Sequence, residues 1–162
     1  MLTRRTKTVA ALSCTVIALG YMLFGATRMR EHYAGSTCAA NLRSIGVGLA
    51  LYAQDYDQTL PFASVWMDRT QRYLPGDAHS TQYFFRCPAV HQGPEAYGCA
   101  FNRLLSGEHV PREAGSALLV FDSQNTQWNA AGDPTEFAMP SRHEQGWPHP
   151  YNNFLFADGH VR

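Results

Sequence analysis

The chain has 162 residues, of which 45% are hydrophobic and 16% charged, a composition that excludes a disordered chain and predicts one folded domain plus an appendage. Its 13 basic and 13 acidic residues cancel, so the chain has no basic surplus to attract phosphates. Nucleic acid is therefore not an expected partner.

An apolar stretch near the start is the first predicted element. Residues 9–26, VAALSCTVIALGYMLFGA, carry no charge, and as a helix they would rise about 27 Å, just enough for the hydrocarbon core of a bilayer. Basic residues precede the stretch at 4, 5 and 7 and follow it at 28 and 30. The positive-inside rule then favours a cytoplasmic segment 1–8, a transmembrane helix over 9–26 and an exported remainder. A cleaved secretory signal shares this pattern and stays open as an alternative.

The next stretch keeps one helical face apolar. The apolar positions recur at steps of four, three, four, three and four, at Cys38, Leu42, Ile45, Leu49, Tyr52 and Tyr56. No Gly-rich or Pro-rich linker separates this stretch from the apolar one, which predicts one helix over 9–56. Residues 27–60 form the amphipathic outer half in this interpretation. Pro61 is expected to end the helix, because proline lacks a backbone N–H.

Residues 61–162 are rich in proline and aromatic residues and show short apolar runs, typical of a small sheet domain. A short helix is predicted over 65–74, with Trp66 and Tyr73 facing inward. Strands are predicted at 83–85, 117–121 and 153–157. Asp158-Gly159 suits a tight hairpin turn that returns through residues 160–162. The expected fold is α+β: a long N-terminal helix, transmembrane then amphipathic, packed on a small antiparallel sheet.

The four cysteines allow one disulfide in the exported part. Cys14 lies inside the apolar stretch, which leaves Cys38, Cys87 and Cys99 for an oxidising compartment. Pairing Cys87 with Cys99 would close a short loop and is the preferred assignment, while Cys38 with Cys87 would tie the helix to the domain and stays open. No Cys-x-x-Cys pair is present, which argues against a structural zinc site.

Two carboxylates and two histidines form the candidate metal site. Asp122, His143, Asp158 and His160 would meet if two strands ending in Asp bring their side chains together, and such a set could bind Ca²⁺ or a transition ion. The simpler alternative is that each Asp serves its own turn. No Gly-x-Ser-x-Gly motif accompanies the serines, so no catalytic residue is assigned and no enzyme is expected.

Several motifs together carry a family resemblance. They are CAANLRSIG at 38–46, LALYAQDYD at 49–57, FRCP at 85–88, VFD at 120–122 and NFLFADGHV at 153–161. In this order they resemble a large bacterial family of pseudopilin-like, prepilin-type proteins, similar to the major pseudopilin of type II secretion, with a C-terminal His, nine residues, Asp-Gly signature. Cys38 and Cys87 are both at positions of the family pattern.

The resemblance implies a non-enzymatic structural subunit of a type II secretion or pilus-like assembly. In such proteins the N-terminal helix anchors the chain in the bacterial inner membrane and packs with other pseudopilins, while the small domain lies in the periplasm. Some type II secretion pseudopilins hold calcium near the C-terminus, which favours Ca²⁺ over Zn²⁺ at the candidate site.

The chain departs from the family in two places. No Gly precedes Val9 and no acidic residue appears before Glu31, whereas pilin precursors carry a leader Gly and a Glu at the fifth mature position. Fourteen residues separate His143 from Asp158, so residues 145–151 are expected to contain an insertion of about five residues. The missing Gly and Glu favour the alternative function: a solitary anchored domain with a pilin-like fold that binds an envelope polymer or a metal and does not polymerise.

Overall fold

The computed structural model describes residues 4–90, 93, 96–137, 141–143 and 151–162, without the side chains of 4–12, 31, 136 and 137. Four α-helices are described: α1 (Arg4–Asp55), α2 (Trp66–Thr70), α3 (Ala78–Thr81) and α4 (Pro134–Phe137). Four strands form one sheet: β1 (Cys99–Asn102), β2 (Leu118–Asp122), β3 (Ala131–Gly132) and β4 (Phe154–Phe156). The molecule is therefore an α+β protein with a small four-stranded sheet.

The single long helix α1 agrees with the predicted stripe over most of its length. Five of the six positions of the predicted apolar stripe, from Cys38 to Tyr52, are buried, but the sixth, Tyr56, is 46% exposed. The helix stops at Asp55 because Asp57 and Gln58 adopt left-handed backbone angles, with φ of 51° and 59°. The expected termination at Pro61 is therefore wrong by several residues, since the turn comes before the proline.

The transmembrane part of the expectation receives no support from the fold. Within the part of the chain that the structure describes, no helix is both long enough and apolar enough to cross a membrane. The first residues of the expected span, 9–12, have side chains outside the described set.

The sheet has the order β3-β1-β2-β4. β2 pairs antiparallel with both β1 and β4, as expected, but β1 pairs parallel with β3, which the sequence did not indicate. Strands predicted at 117–121 and 153–157 are confirmed as β2 and β4. The one predicted at 83–85 is wrong: that segment lies in a 3₁₀ helix, Gln82–Phe85.

The C-terminal hairpin is confirmed. Phe156 donates its N–H to the carbonyl of His160 at 3.0 Å, and Leu155 bridges Val161 across the turn. Gly159 has a φ of +86°, a left-handed angle that favours glycine at the turn. The returning segment thus covers the outer edge of β4.

The core lies between the buried face of α1 and the inner face of the sheet. Trp66 at the start of α2 is fully buried and packs its ring against Phe85 and Phe101, with centroids 5.5 Å and 5.7 Å away. Its indole N–H donates to the carbonyl of Ala130 at 2.9 Å, which satisfies the ring's polar atom. The predicted helix over 65–74 is present as α2 continued by a 3₁₀ turn, Gln71–Tyr73. Trp66 faces inward as expected, whereas Tyr73 is only partly buried, because its hydroxyl donates to the carboxylate of Asp55 at the end of α1, at 2.7 Å.

Candidate functional site

A disulfide joins the middle of α1 to the domain. Cys38 and Cys87 are bonded, with Cα atoms 5.2 Å apart, so the preferred pairing of Cys87 with Cys99 is wrong and the alternative is present. Cys38 lies on the buried stripe of α1. Cys87 follows the 3₁₀ helix Gln82–Phe85, which packs on α1. Gly98 allows the approach of the strand, because a Cβ there would overlap the side chain of Cys87.

Cys99 remains a free thiol at the start of β1. It is buried, and its sulfur donates weakly to the carbonyl of Phe85 at 3.7 Å. Burial raises the pKa of the Cys99 thiol well above its usual range, and the negative charge of Asp122 raises it further. This thiol is therefore protonated and a poor nucleophile.

Asp122 ends β2 with a buried carboxylate, and its Oδ2 has three close polar neighbours. Its Oδ2 accepts the backbone N–H and the side-chain amide N–H of Asn153, each at 2.8 Å, and lies 3.2 Å from Nε2 of His143. Asn153 therefore holds the carboxylate from the neighbouring strand end. The partly buried guanidinium of Arg142 lies in the field of the carboxylate; burial lowers the pKa of Arg142, and Asp122 opposes that change.

His143 is fully buried and uses only one ring nitrogen. Nε2 lies 3.2 Å from Oδ2 of Asp122 and 3.1 Å from the side-chain amide nitrogen of Asn153, so it donates to the carboxylate in one tautomer and accepts from the amide in the other. The other ring nitrogen, Nδ1, has no hydrogen-bond partner among the described residues. The backbone of His143 is fixed by a two-way bridge to Tyr151, whose ring stacks on the imidazole at 5.0 Å.

The second predicted pair lies on the hairpin. Nδ1 of His160 is 2.6 Å from Oδ1 of Asp158, and both side chains are nearly half exposed. The hydrogen bond from the backbone N–H of His160, with the one from its ring, lowers the pKa of Asp158. This pair caps the turn as the simpler sequence interpretation describes.

The four candidate ligands do not come together in the structure. Asp122 follows one end of the β2–β4 ladder, next to Asn153, whereas Asp158 follows the other end, where Leu118 pairs with Phe156. Leu118 and Asp122 are four residue steps apart along β2, a length of about 13 Å. Each carboxylate keeps its own histidine, and calcium binding stays a prediction. The expected insertion at 145–151 lies largely outside the described residues.

A different set of donors does come together. Ligand atoms of Cys38, Cys87 and His143 all lie within 4.8 Å of one another, and all three residues are buried. The sequence offered only indirect signals for this group: the helix stripe placed Cys38 inward, and the family pattern included both cysteines. Asn153 was missed altogether, because a lone Asn before a strand has no spacing signature.

A cleft of about 380 Å³ opens beside the disulfide, between α1 and the segment after the 3₁₀ helix. Arg86 lies on its wall, with the guanidinium 5.0 Å from the ring centroid of Tyr83 and 5.7 Å from that of Tyr97. The amide of Asn41 on α1 donates to the carbonyl of Arg86 at 3.0 Å and fixes the wall to the helix.

Fold and site together define a small α+β domain carried on a long helix and linked to that helix by a disulfide. Comparison with known proteins adds no family: no family description, curated protein or solved structure matches this chain.

Proposed function

We propose that this protein is a membrane-anchored, pseudopilin-like structural subunit of a type II secretion or pilus-like assembly. The observation that carries the proposal is the division of α1 into two unlike halves. The outer half is part of the domain core, and the inner half carries apolar side chains, from Val16 to Phe24, that are exposed among the residues that the structure describes.

The exposed half supports an apolar environment around the helix. Its large apolar side chains are 59–75% exposed, namely Val16, Ile17, Leu19, Tyr21, Met22, Leu23 and Phe24. They lie all around the helix rather than on one stripe, which is the pattern of a helix surrounded by lipid or by other helices. A chain in water would leave this surface unfavourably hydrated.

The buried half supports a rigid connection between helix and domain. Leu42, Ile45 and Leu49 belong to the same core cluster as Trp66 and Leu155. With the disulfide at Cys38, the domain is fixed to the helix by both packing and a covalent bond. A subunit built in this way would transmit the position of its helix directly to its domain.

The disulfide and the flanking charges support the proposed location. A structural disulfide is typical of an oxidising compartment, which agrees with a domain on the outer side of the bacterial inner membrane. More basic residues precede the apolar stretch than follow it, which favours a cytoplasmic N-terminus. No nucleic acid partner is expected from a chain with no net charge.

A pair of matched substitutions tests the anchor. Val16 lies near the middle of the apolar stretch and is 69% exposed, while Val47 lies on the same helix in the domain half and is 61% exposed. Placing a lysine at the centre of a bilayer costs about 3 kcal/mol, or roughly a hundredfold in partitioning. We expect Val16→Lys to shift the protein from the carbonate-resistant membrane fraction to the soluble fraction and Val47→Lys to leave it in the membrane.

Equal behaviour of the two variants would contradict the anchor. If both remain in the membrane, the stretch around Val16 does not depend on an apolar surrounding. If the unsubstituted protein is already in the soluble fraction, no membrane helix exists to disrupt. Melting of both variants checks that the domain remains folded.

The cleft beside Arg86 favours a second candidate, a solitary anchored binding domain that does not assemble. Its cation and aromatic walls could bind an envelope polymer bearing carboxylates. This candidate has the same membrane anchor, so membrane fractionation does not distinguish it from the first. It predicts a monomer in the membrane, and the oligomeric state therefore distinguishes the two.

A further inference from the structure

A buried imidazole lies against the disulfide with one nitrogen unused. Cys38, Cys87 and His143 come from α1, from the segment after the 3₁₀ helix and from the bridge to Tyr151, and their ligand atoms lie within 4.8 Å of one another. These three segments are far apart in sequence. Because the three donors come from separate segments, the lack of a Cys-x-x-Cys motif in the sequence says nothing about a metal site formed by them.

The unused nitrogen is the second observation. Nδ1 of His143 is buried without a hydrogen-bond partner among the described residues, which is unfavourable for a polar atom. It faces α1: a Cβ built on Gly35, one turn before Cys38, would lie 3.5 Å from it. Nδ1 therefore lies against the turn of α1 that precedes Cys38.

The other ring nitrogen, Nε2, lies against a carboxylate, an arrangement found in many metal-binding histidines. Nε2 of His143 meets the carboxylate of Asp122 at 3.2 Å, and that carboxylate is itself held by Asn153. A carboxylate that binds the far nitrogen fixes the tautomer and makes the near nitrogen a better donor to a metal. In the tautomer that carries the proton on Nε2 and donates it to Asp122, the lone pair of Nδ1 is available to a metal.

We propose that reduction of the Cys38–Cys87 disulfide converts this cluster into a Zn²⁺ site with two sulfur ligands and one nitrogen ligand. A dithiol supplies two electrons and two protons, the S–S bond breaks, and the dithiol leaves as its own disulfide. On metal binding, both cysteine thiols release their protons to solvent, and Nδ1 donates its lone pair without a proton change. The two thiolates neutralise the charge of the metal, which suits a buried position.

The fourth position fits a small ligand. A cavity of about 10 Å³ lies beside the disulfide and is lined by Cys38, Cys87, Cys99 and Asp122. This volume is about that of one water position, so a water completes the tetrahedral set. The metal would restore the link between helix and domain that reduction removes.

Cobalt binding to the full-length chain tests the proposal. In a Cys14→Ser background, the reduced protein should bind one Co²⁺ with sulfur-to-cobalt charge-transfer absorption, release two protons per metal, and lose the absorption when Zn²⁺ is added. The disulfide-bonded protein should show none of these changes. We expect Asp122→Asn to weaken binding by about 10–100-fold, because it removes the carboxylate behind the ring.

His143→Gln is the direct test of the nitrogen, and its disulfide-bonded form, checked by circular dichroism, shows whether the variant folds. Cobalt affinity equal to that of the unsubstituted chain in Asp122→Asn or in a folded His143→Gln would overturn the proposal. A reduced chain that shows no cobalt charge-transfer absorption would also overturn the proposal. This holds if the reduced chain stays folded, and equally if it unfolds and does not refold when Zn²⁺ is added. None of these outcomes bears on the membrane anchor, which depends on residues 9–26.

Discussion

The bond between Cys38 and Cys87 is the residue-level feature on which most of the architecture depends. It closes a loop with a sequence separation of 49, and the chain-entropy model assigns such a loop a stabilisation of about 4 kcal/mol. Because Cys38 lies on α1 and Cys87 on the domain, the bond also opposes separation of the two.

Removing this disulfide gives the first prediction. We expect the double variant Cys38→Ser, Cys87→Ser to lower the free energy of unfolding by about 4 kcal/mol, measured by urea denaturation of the full chain in detergent. Cys14→Ser is the matched control, since Cys14 is exposed and free. A loss equal to that of the control would contradict the assigned pairing, as would mass mapping that links Cys87 to Cys99.

The Asp158–His160 pair predicts a pH dependence at the same scale. Hydrogen bonds from His160 lower the pKa of Asp158 in the folded state, so its stabilisation is fully present above the unfolded pKa of about 4. That stabilisation is lost as the pH falls through the lowered folded value. We expect NMR titration of Asp158 to give a pKa below 4 and His160→Ala to raise it only in part, because the backbone N–H of residue 160, the larger cause, remains in the variant. An unchanged Asp158 titration in the variant would show that the pair does not form.

How far the site could be predicted is also decided residue by residue. Asp122 and His143 were predicted as ligands, the first from a strand end and the second from a position of the family pattern. Their side chains do meet in the structure. Asp158 and His160 meet each other instead of joining that pair, since antiparallel β2 and β4 put the two carboxylates at opposite ends. Both carboxylates lie at the C-terminal side of their strands, so they would meet only if the strands were parallel, and which strands are neighbours is a tertiary property that short strand patterns do not define.

At the scale of elements, α1 was the most predictable part, because a 3.6-residue periodicity sustained over several turns is a strong local signal. The segment Gln82–Phe85 was the least predictable: its aromatic residues favour a strand, but the capping box formed by Asp77 and Ser80 starts a helical turn just before it. The strand β1 was missed because Cys99–Asn102 has only four residues and is buried on both faces, without alternation.

Two glycines on α1 give a prediction about the packing of that element. Gly48 contacts α2 so closely that a Cβ would lie 2.9 Å from Cγ2 of Thr70 and 3.3 Å from its carbonyl oxygen, whereas a Cβ at Gly20 meets nothing within 4 Å. Replacing a helical Gly by Ala gains about 1 kcal/mol of helix propensity when space is free. We therefore expect Gly48→Ala to lower the melting temperature of the domain and Gly20→Ala to leave it unchanged or raised. If the two variants melt alike, the helix does not pack on α2 at this distance.

At the scale of the whole molecule, the account rests on the unequal surroundings of the two halves of α1. The domain buries the face that runs from Cys38 to Tyr52, and it leaves the apolar side chains between Val16 and Phe24 uncovered. A composition of 45% hydrophobic residues in 162 gave no hint of how they would be divided, since both halves contribute to the same average. The uncharged run over 9–26 and the apolar stripe after it did indicate this division, and the position of the domain on the helix defines which residues of the stripe are buried.

Cys14 provides a probe of the proposal that the exposed half of α1 packs against other subunits in the membrane. This thiol is free and exposed on that half, while Cys99 is buried and does not compete. Packed helices lie 8–10 Å apart, so a bismaleimide with a spacer of about 10 Å should join neighbouring copies in native membranes. The account predicts dimers of this chain that are absent in Cys14→Ser. A product that stays monomeric, with Cys14 fully modified at one end of the reagent, would contradict assembly and leave the solitary anchored domain.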